Sequence, residues 1–150
     1  MKIRLEPVTV ASRAAVERLE TAPGQEGFVE SVAECLAEAD RRRCWRPVGV
    51  YDGDALIGFA MYGFFWEYLP FGRLWLDRAA DRRRFQGRGY GRAALAALLE
   101  RLEREYHKKR IYLSVVEANR PAAALYESFG FRFTGERDTH GERVMCLRTR

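Results

Sequence analysis

The stretch Gln86-Gly87-Arg88-Gly89-Tyr90-Gly91 follows a strand-like run and opens directly into an Ala/Leu-rich helical run that continues to about Tyr106. Glycines at alternate positions let the backbone come close to a ligand. They also leave N–H groups exposed at the positive end of the helix that follows, an arrangement suited to a phosphate or pyrophosphate. Two familiar schemes fail on spacing. A dinucleotide fingerprint needs a third glycine where Arg92 stands, and the Gly-Lys-Ser/Thr of a P-loop is missing. The loop therefore binds phosphate by another scheme or merely turns a corner. Arg82, Arg83, Arg84, Arg88 and Arg92 flank it, and arginine forks pair with phosphate. These arginines gather beside one glycine loop, with no recognition-helix pattern and no aromatic stacking motif, so nucleic acid is not the expected partner.

The remaining elements place this loop in a sheet covered by helices. Lys2 to Thr9 alternates as a strand, and Ser12 is positioned to cap a helix to about Ala22. Gly27 to about Arg43 forms a second helix, with Glu30, Glu34 and Glu38 recurring on one face. Pro47 to Tyr51 and Ala55 to about Phe65 are strands joined at the hairpin signal Asp52-Gly53. Phe71 to about Ala80 is the next strand, with Leu74 and Leu76 on one face and Trp75 and Asp77 on the other. After the glycine loop and its helix come a strand (Arg110 to Val116), a short helix between Pro121 and Gly130, and a closing hairpin (Phe131 to Glu136, Glu142 to Leu147). The expectation is an α/β fold in the order β-α-α-β-β-β-α-β-α-β-β, as one domain over residues 1–150.

Composition narrows the function classes. Three cysteines (35, 44 and 146) form no Cys-x-x-Cys pair, and His107 and His140 stand apart, so neither a disulfide framework nor a metal site is expected. No apolar run is long enough for a membrane helix, and the start Met1 to Val10 lacks a secretory signal, which leaves the cytoplasm as the expected location. The net charge is +5, but it is divided. Glu17 to Asp40 holds seven acids and one base, whereas Arg82 to Arg110 holds ten bases and three acids. One region can attract a cation and the other an anion.

Two motifs carry a resemblance. Gln86-x-x-Gly89-x-Gly91 matches the Gln/Arg-x-x-Gly-x-Gly/Ala acetyl-CoA loop of the GNAT N-acetyltransferase family. Glu117-Ala118-Asn119-Arg120-Pro121-Ala122-Ala123-Ala124-Leu125-Tyr126-Glu127-Ser128-Phe129-Gly130-Phe131 is similar to the family's stretch of Asn, small residues, Leu-Tyr and Gly-Phe. A helix and a strand lie between them, and the element order agrees over nearly the whole chain. The segments Phe28 to Ser31, Pro47 to Tyr51, Gly58 to Gly63, Trp75 to Arg78 and Arg110 to Ser114 further resemble bacterial spermine/spermidine acetyltransferases.

The resemblance implies acetyl-CoA as acetyl donor. Ala79, Ala80, Asp81, Gln86, Gly87, Arg88, Gly89, Tyr90, Gly91, Arg92 and Asn119 would bind it, the backbone amides of Arg88 to Gly91 holding the pyrophosphate at the helix N-terminus and Asn119 reaching it from the loop after the fifth strand. Tyr126 would protonate the departing thiolate. Five residues before Gln86 the family has an apolar strand residue whose backbone grips pantetheine. Here that position is Asp81, a departure the backbone contact tolerates. Dimers are common in the family, so a homodimer is the analogous expectation.

Acetyl transfer to an amine makes three demands. The amine, with a pKa of about 10.4, must lose a proton to a base. Asp77, just before the cofactor loop, is the candidate, with Glu67 and Tyr68 behind it. An N–H must meet the developing oxyanion, and a splayed strand near Arg78, Ala79 and Ala80 can supply it. The thiolate needs an acid, which Tyr126 fits. Glu30, Glu34, Glu67, Tyr68 and Asp77 are the candidate contacts for a small polycationic amine such as spermidine or spermine. The alternatives are acetylation of a protein N-terminus, a lysine or an aminoglycoside, and a non-catalytic acyl-CoA-binding module.

Overall fold

A computed structural model describes residues 2–19, 31–81 and 89–149, with the backbone alone for residues 78–81. The elements are β1 (Ile3–Pro7), α1 (Val10–Glu17), α2 (Val32–Arg41), β2 (Arg46–Asp52), β3 (Ala55–Phe65), β4 (Arg73–Asp81), α3 (Tyr90–Tyr106), β5 (Arg110–Val115), α4 (Arg120–Ser128), β6 (Arg132–Arg137) and β7 (Arg143–Arg148). This is the expected order. Among the described residues no helix is long and apolar enough to cross a membrane.

Capping chemistry moves two helix starts from where the sequence suggests. Thr9, not Ser12, caps α1. Its Oγ1 accepts from the Ser12 N–H at 3.3 Å, and Ser12 Oγ accepts from the Thr9 N–H at 2.9 Å. The second helix begins at Val32 rather than Gly27, capped by Ser31. Ser31 Oγ accepts from the Glu34 N–H at 3.1 Å, and the Glu34 carboxylate accepts from the Ser31 N–H at 3.2 Å. Each reciprocal pair satisfies two backbone donors that a helix start otherwise leaves without partners, which sets the first turn. Phe71 lies outside β4, 80% exposed in the turn that precedes it.

Seven strands form one sheet in the order β1-β2-β3-β4-β5-β7-β6. Only β4 and β5 run parallel, so a crossover must join them, and α3 is that crossover. One core, on the α3 and α4 side, gathers Val50, Leu74, Leu95, Leu98, Leu113 and Phe131. A second gathers Val16, Val32, Cys35 and Leu36 of the N-terminal segment against Phe59 and Met61 of β3. An extra residue in β3 opposite Val50/Tyr51 shifts the alternation. Ile57 therefore joins the first core, while Phe59, two residues on, joins the second.

The fold's opening lies between β4 and β5. Their register pairs only Leu74 with Ile111 and Trp75 with Tyr112. Beyond that point β4 stays on β3 as far as Asp81, and β5 stays on β7 as far as Val115. The two strands part, leaving backbone donors and acceptors facing the gap. β4 also bulges there. Phe59 pairs with Ala80 and Ala60 with Arg78, so Ala79 has no cross-strand partner. Bulges of this kind bend a strand and often border active sites.

Candidate active site

Alternation along β4 sends its side chains to two faces, as period two requires. Leu74 and Leu76 pack into the core beneath α3 and α4. Trp75 and Asp77 line a cavity of about 390 Å³ on the other face, next to Ser114 of β5. The cavity is acidic. Glu38 from α2, Glu67 from the turn after β3, Asp77, and Asp138 and Glu142 from the β6–β7 turn all line it. Trp45, Phe65, Tyr68 and Trp75 form aromatic walls. Tyr68 and Trp75 rings lie 5.7 Å apart, and Trp45 meets Phe65 edge-on at 4.7 Å. Carboxylates beside aromatic faces form a setting that attracts ammonium groups.

The opposite side of the gap holds the helix starts. Gly89 caps α3 with φ +80°, a left-handed conformation that a side chain would strain. Among the described residues nothing lies within 4 Å of a Cβ built there, so the demand for glycine is one of conformation. Tyr90, the first residue of α3, donates its hydroxyl to Asp52 Oδ2 at 2.7 Å and so anchors the loop's end to the β2–β3 turn. That bond, after the one from the Lys2 N–H, holds the Asp52 carboxyl below its usual pKa. Arg92 donates to Ser128 Oγ at 2.9 Å and covers the Phe129 ring, tying the start of α3 to the end of α4.

Asn119 caps α4, its Oδ1 accepting from the Ala122 N–H at 3.3 Å. Tyr126, two turns along, is 8% exposed and stands edge-on to Phe131 at 5.9 Å. It belongs to the same core as Leu74 and Leu76. The two candidate proton carriers, Tyr126 and Asp77, therefore lie on opposite faces of the sheet, with the β4–β5 gap between those faces. Backbone N–H groups at a helix start, next to unpaired strand backbone, fit a molecule with a pyrophosphate at one end and an amide-containing arm at the other.

Glu67, Tyr68 and Asp77 thus come together in one cavity. Glu34 does not join them, because its carboxylate caps its own helix. Glu30, Gln86, Gly87 and Arg88, and Arg82 to Arg84, lie outside the described residues. Glu38, one turn beyond Glu34, is the carboxylate of α2 that lines the cavity. Sequence reasoning placed it on the acidic face without singling it out. It also missed Asp138, His140 and Glu142. His140 was expected as an isolated surface residue; it is exposed, but it stands in the cavity wall. The donor atoms of these three residues lie within 4.8 Å of one another, a spacing that suits a cation. Their alternation in Asp138-Thr139-His140-Gly141-Glu142 was the available signal.

Comparison with known proteins adds what geometry alone does not. Residues 13–131 match the model of the acetyltransferase (GNAT) family. The chain is 45% identical over 148 residues to a spermine/spermidine N(1)-acetyltransferase of Bacillus subtilis, covering 97% of each chain. It is 44% identical, over the same shares, to a probable spermine N(1)-acetyltransferase of Bacillus subtilis subsp. natto. Among solved structures, it superposes with TM-score 0.74 on spermidine N-acetyltransferase of Vibrio cholerae in complex with CoA and spermine, at 18% identity over 97% of this chain and 95% of that one. The aminoglycoside acetyltransferase AAC(6')-Ib with coenzyme A gives TM-score 0.82, also at 18% identity, over 98% and 95%. At that identity the structural likeness speaks for the fold alone.

Proposed function

Because this chain belongs to the acetyltransferase (GNAT) family, we propose that its acidic cavity takes spermidine or spermine and presents one primary amine for acetylation. The protein is an acetyl-CoA-dependent N-acetyltransferase. The observation that carries the polyamine reading is the cavity itself: five carboxylates and four aromatic rings line it, in a chain whose net charge is +5. A polycation is drawn to that wall, and CoA phosphates to the helix start at Gly89 and the arginine-rich segment that precedes it in sequence.

Roles follow from position. Asp77, which lines the cavity with Ser114 of β5, is the group we assign to take the proton from the attacking ammonium, directly or through one water. The Arg78 to Ala80 backbone beside the bulge supplies the N–H donor for the developing oxyanion. Tyr126 gives its hydroxyl proton to the departing thiolate. Gly89 to Arg92, with Gln86, Gly87 and Arg88, hold the pyrophosphate, while Asp81 and Asn119 stand along the arm. Acetyl-CoA supplies the activated thioester, and no step calls on a metal. Glu67 and Tyr68 hold the distal part of the amine, with Glu38, Asp138 and Glu142 added to the set. The same reading keeps the chain as one N-acetyltransferase domain acting in the cytoplasm, as a homodimer by analogy with its family.

Aminoglycosides are polycations too, so charge alone admits them; the sequence identity to polyamine enzymes separates the two. Thiol release tests the choice. Free CoA is followed with a thiol dye in the presence of acetyl-CoA and spermidine, spermine, a lysine peptide or an aminoglycoside. Saturable release at low polyamine concentration is expected. Release with another amine only would end the polyamine reading and keep the reaction. CoA binding with no release for any amine would favour a binding module.

A further inference from the structure

Among the described residues that line the amine cavity, Arg42 is the one lysine or arginine. It follows the last turn of α2, and its guanidinium is ion-paired with Glu67 of the turn after β3. The same guanidinium lies 4.8 Å from the centroid of the Phe65 ring. Glu38, one turn back on α2, lines the same cavity and adds its field, although the hydrogen bond to Glu67 is the larger influence holding Arg42 protonated. A carboxylate, an aromatic face and a second acid nearby are what an ammonium ion seeks. Here the chain's own cation fills that place.

Resting on the polyamine reading, we propose that Arg42 is a resident occupant of the cavity's outer cation subsite, displaced by the distal ammonium of the substrate. The pair is suited to exchange. Both partners are about half exposed, at 43% and 55% of their side-chain surface, and exposed ion pairs hold weakly. A substrate with a second charge replaces the lost partner of Glu67. A monoamine brings no such charge and leaves Arg42 in place. Arg42 is therefore a specificity-determining residue that sets how strongly the cavity favours polyamines over monoamines, and it spares Glu67 an uncompensated charge when no amine is bound.

The experiment pairs two readouts on the whole protein. Titration calorimetry measures spermine binding, and thiol release measures KM for spermidine and for propylamine. Arg42→Gln should tighten spermine binding and lower the spermidine KM by about 2- to 5-fold, leaving the propylamine KM where it was. Glu67→Gln should weaken spermine binding, and adding Arg42→Gln to it should then change little, because the subsite is already lost. Arg13→Gln, which breaks an ion pair to Asp40 that does not line this cavity, controls for loss of an exposed pair. Weaker or unchanged spermine binding in Arg42→Gln overturns the proposal, as does an equal gain for propylamine. The two readings fail separately. Spermine binding that tightens in Arg42→Gln without thiol release keeps the subsite and ends polyamine acetylation. Polyamine turnover with unaltered affinity keeps the activity and ends the subsite.

Discussion

Arg73 at the start of β4 grips Glu136 of β6 with two parallel hydrogen bonds of 2.9 and 3.0 Å. Strands β5 and β7 lie between those two in the sheet, so the guanidinium spans them, 4.2 Å from the centroid of Tyr112 on the way. Arg73 immediately precedes Leu74 and Trp75, the two residues of β4 in register with β5. The pair straps the closing hairpin to the narrow end of the β4–β5 gap, where the strands are about to part.

This strap predicts an acid-dependent contribution to stability. The Arg73 guanidinium holds the Glu136 carboxyl below its usual pKa of 4.5. A depressed carboxyl stabilises the fold above the ordinary glutamate pKa, and the stabilisation disappears as pH falls through the lower folded value. Glu136 is 46% exposed, so the effect sits within the range for surface pairs, about 0.5 kcal/mol. Urea unfolding of the native chain and Glu136→Gln should differ by that amount at neutral pH and converge in acid. A gap that persists below the folded pKa would rule the strap out as the cause.

Tyr90→Phe removes the hydroxyl that donates to Asp52 and should lower stability modestly. Because Tyr90 opens α3, the loop end it anchors should loosen, raising KM for acetyl-CoA more than KM for the amine. Steady-state kinetics with each substrate varied in turn reads that split. Asp52→Asn, altering the other partner of the bond, should move KM in the same direction.

Asn119 has a structural duty as helix cap and a proposed one toward the cofactor, and two substitutions separate them. Asn119→Ala loses about 1 kcal/mol through the cap. Asn119→Ser restores the cap and with it the melting temperature. If the amide also contacts the cofactor, the serine variant keeps a raised KM for acetyl-CoA. Recovery of both quantities by serine would reduce Asn119 to a cap.

Tyr126→Phe removes one oxygen from a buried ring that still packs on Phe131. Loss of a general acid lowers kcat by roughly 10²- to 10⁴-fold. CoA affinity should stay within a few-fold, read by calorimetry. Unchanged turnover would take Tyr126 out of the mechanism. Asp77→Asn should depress kcat over a comparable range, read by the same thiol-release assay.

Much of this site was legible because its signals are local. Alternation at Leu74, Trp75, Leu76 and Asp77 placed the two faces of β4 correctly, since successive side chains of a strand point to opposite faces. Pro121 and Gly130 bracketed α4 for equally local reasons, while the cap at Asn119 was read only as a cofactor contact. The misplaced helix starts were also local. Ser12 and Ser31 both sit in capping boxes, but Ser12 is the third helical residue of its box and Ser31 the cap of its own. Residue type alone does not distinguish those places.

The order of elements, the glycine loop at a helix start and the division of charge between two segments were all decided by short-range chemistry: backbone freedom, periodicity and the sign of neighbouring side chains. Which carboxylates meet was decided by packing. Glu34 and Glu38 share a face one helical turn apart, yet only Glu38 lines the cavity, because Glu34 is the third residue after the cap Ser31 and its carboxylate is held by the Ser31 N–H. Asp138, His140 and Glu142 reach that cavity only because β7 inserts between β5 and β6, bringing the last turn alongside Asp77 and Ser114. Sheet order is a sum of many weak long-range contacts, and no single stretch of chain encodes it.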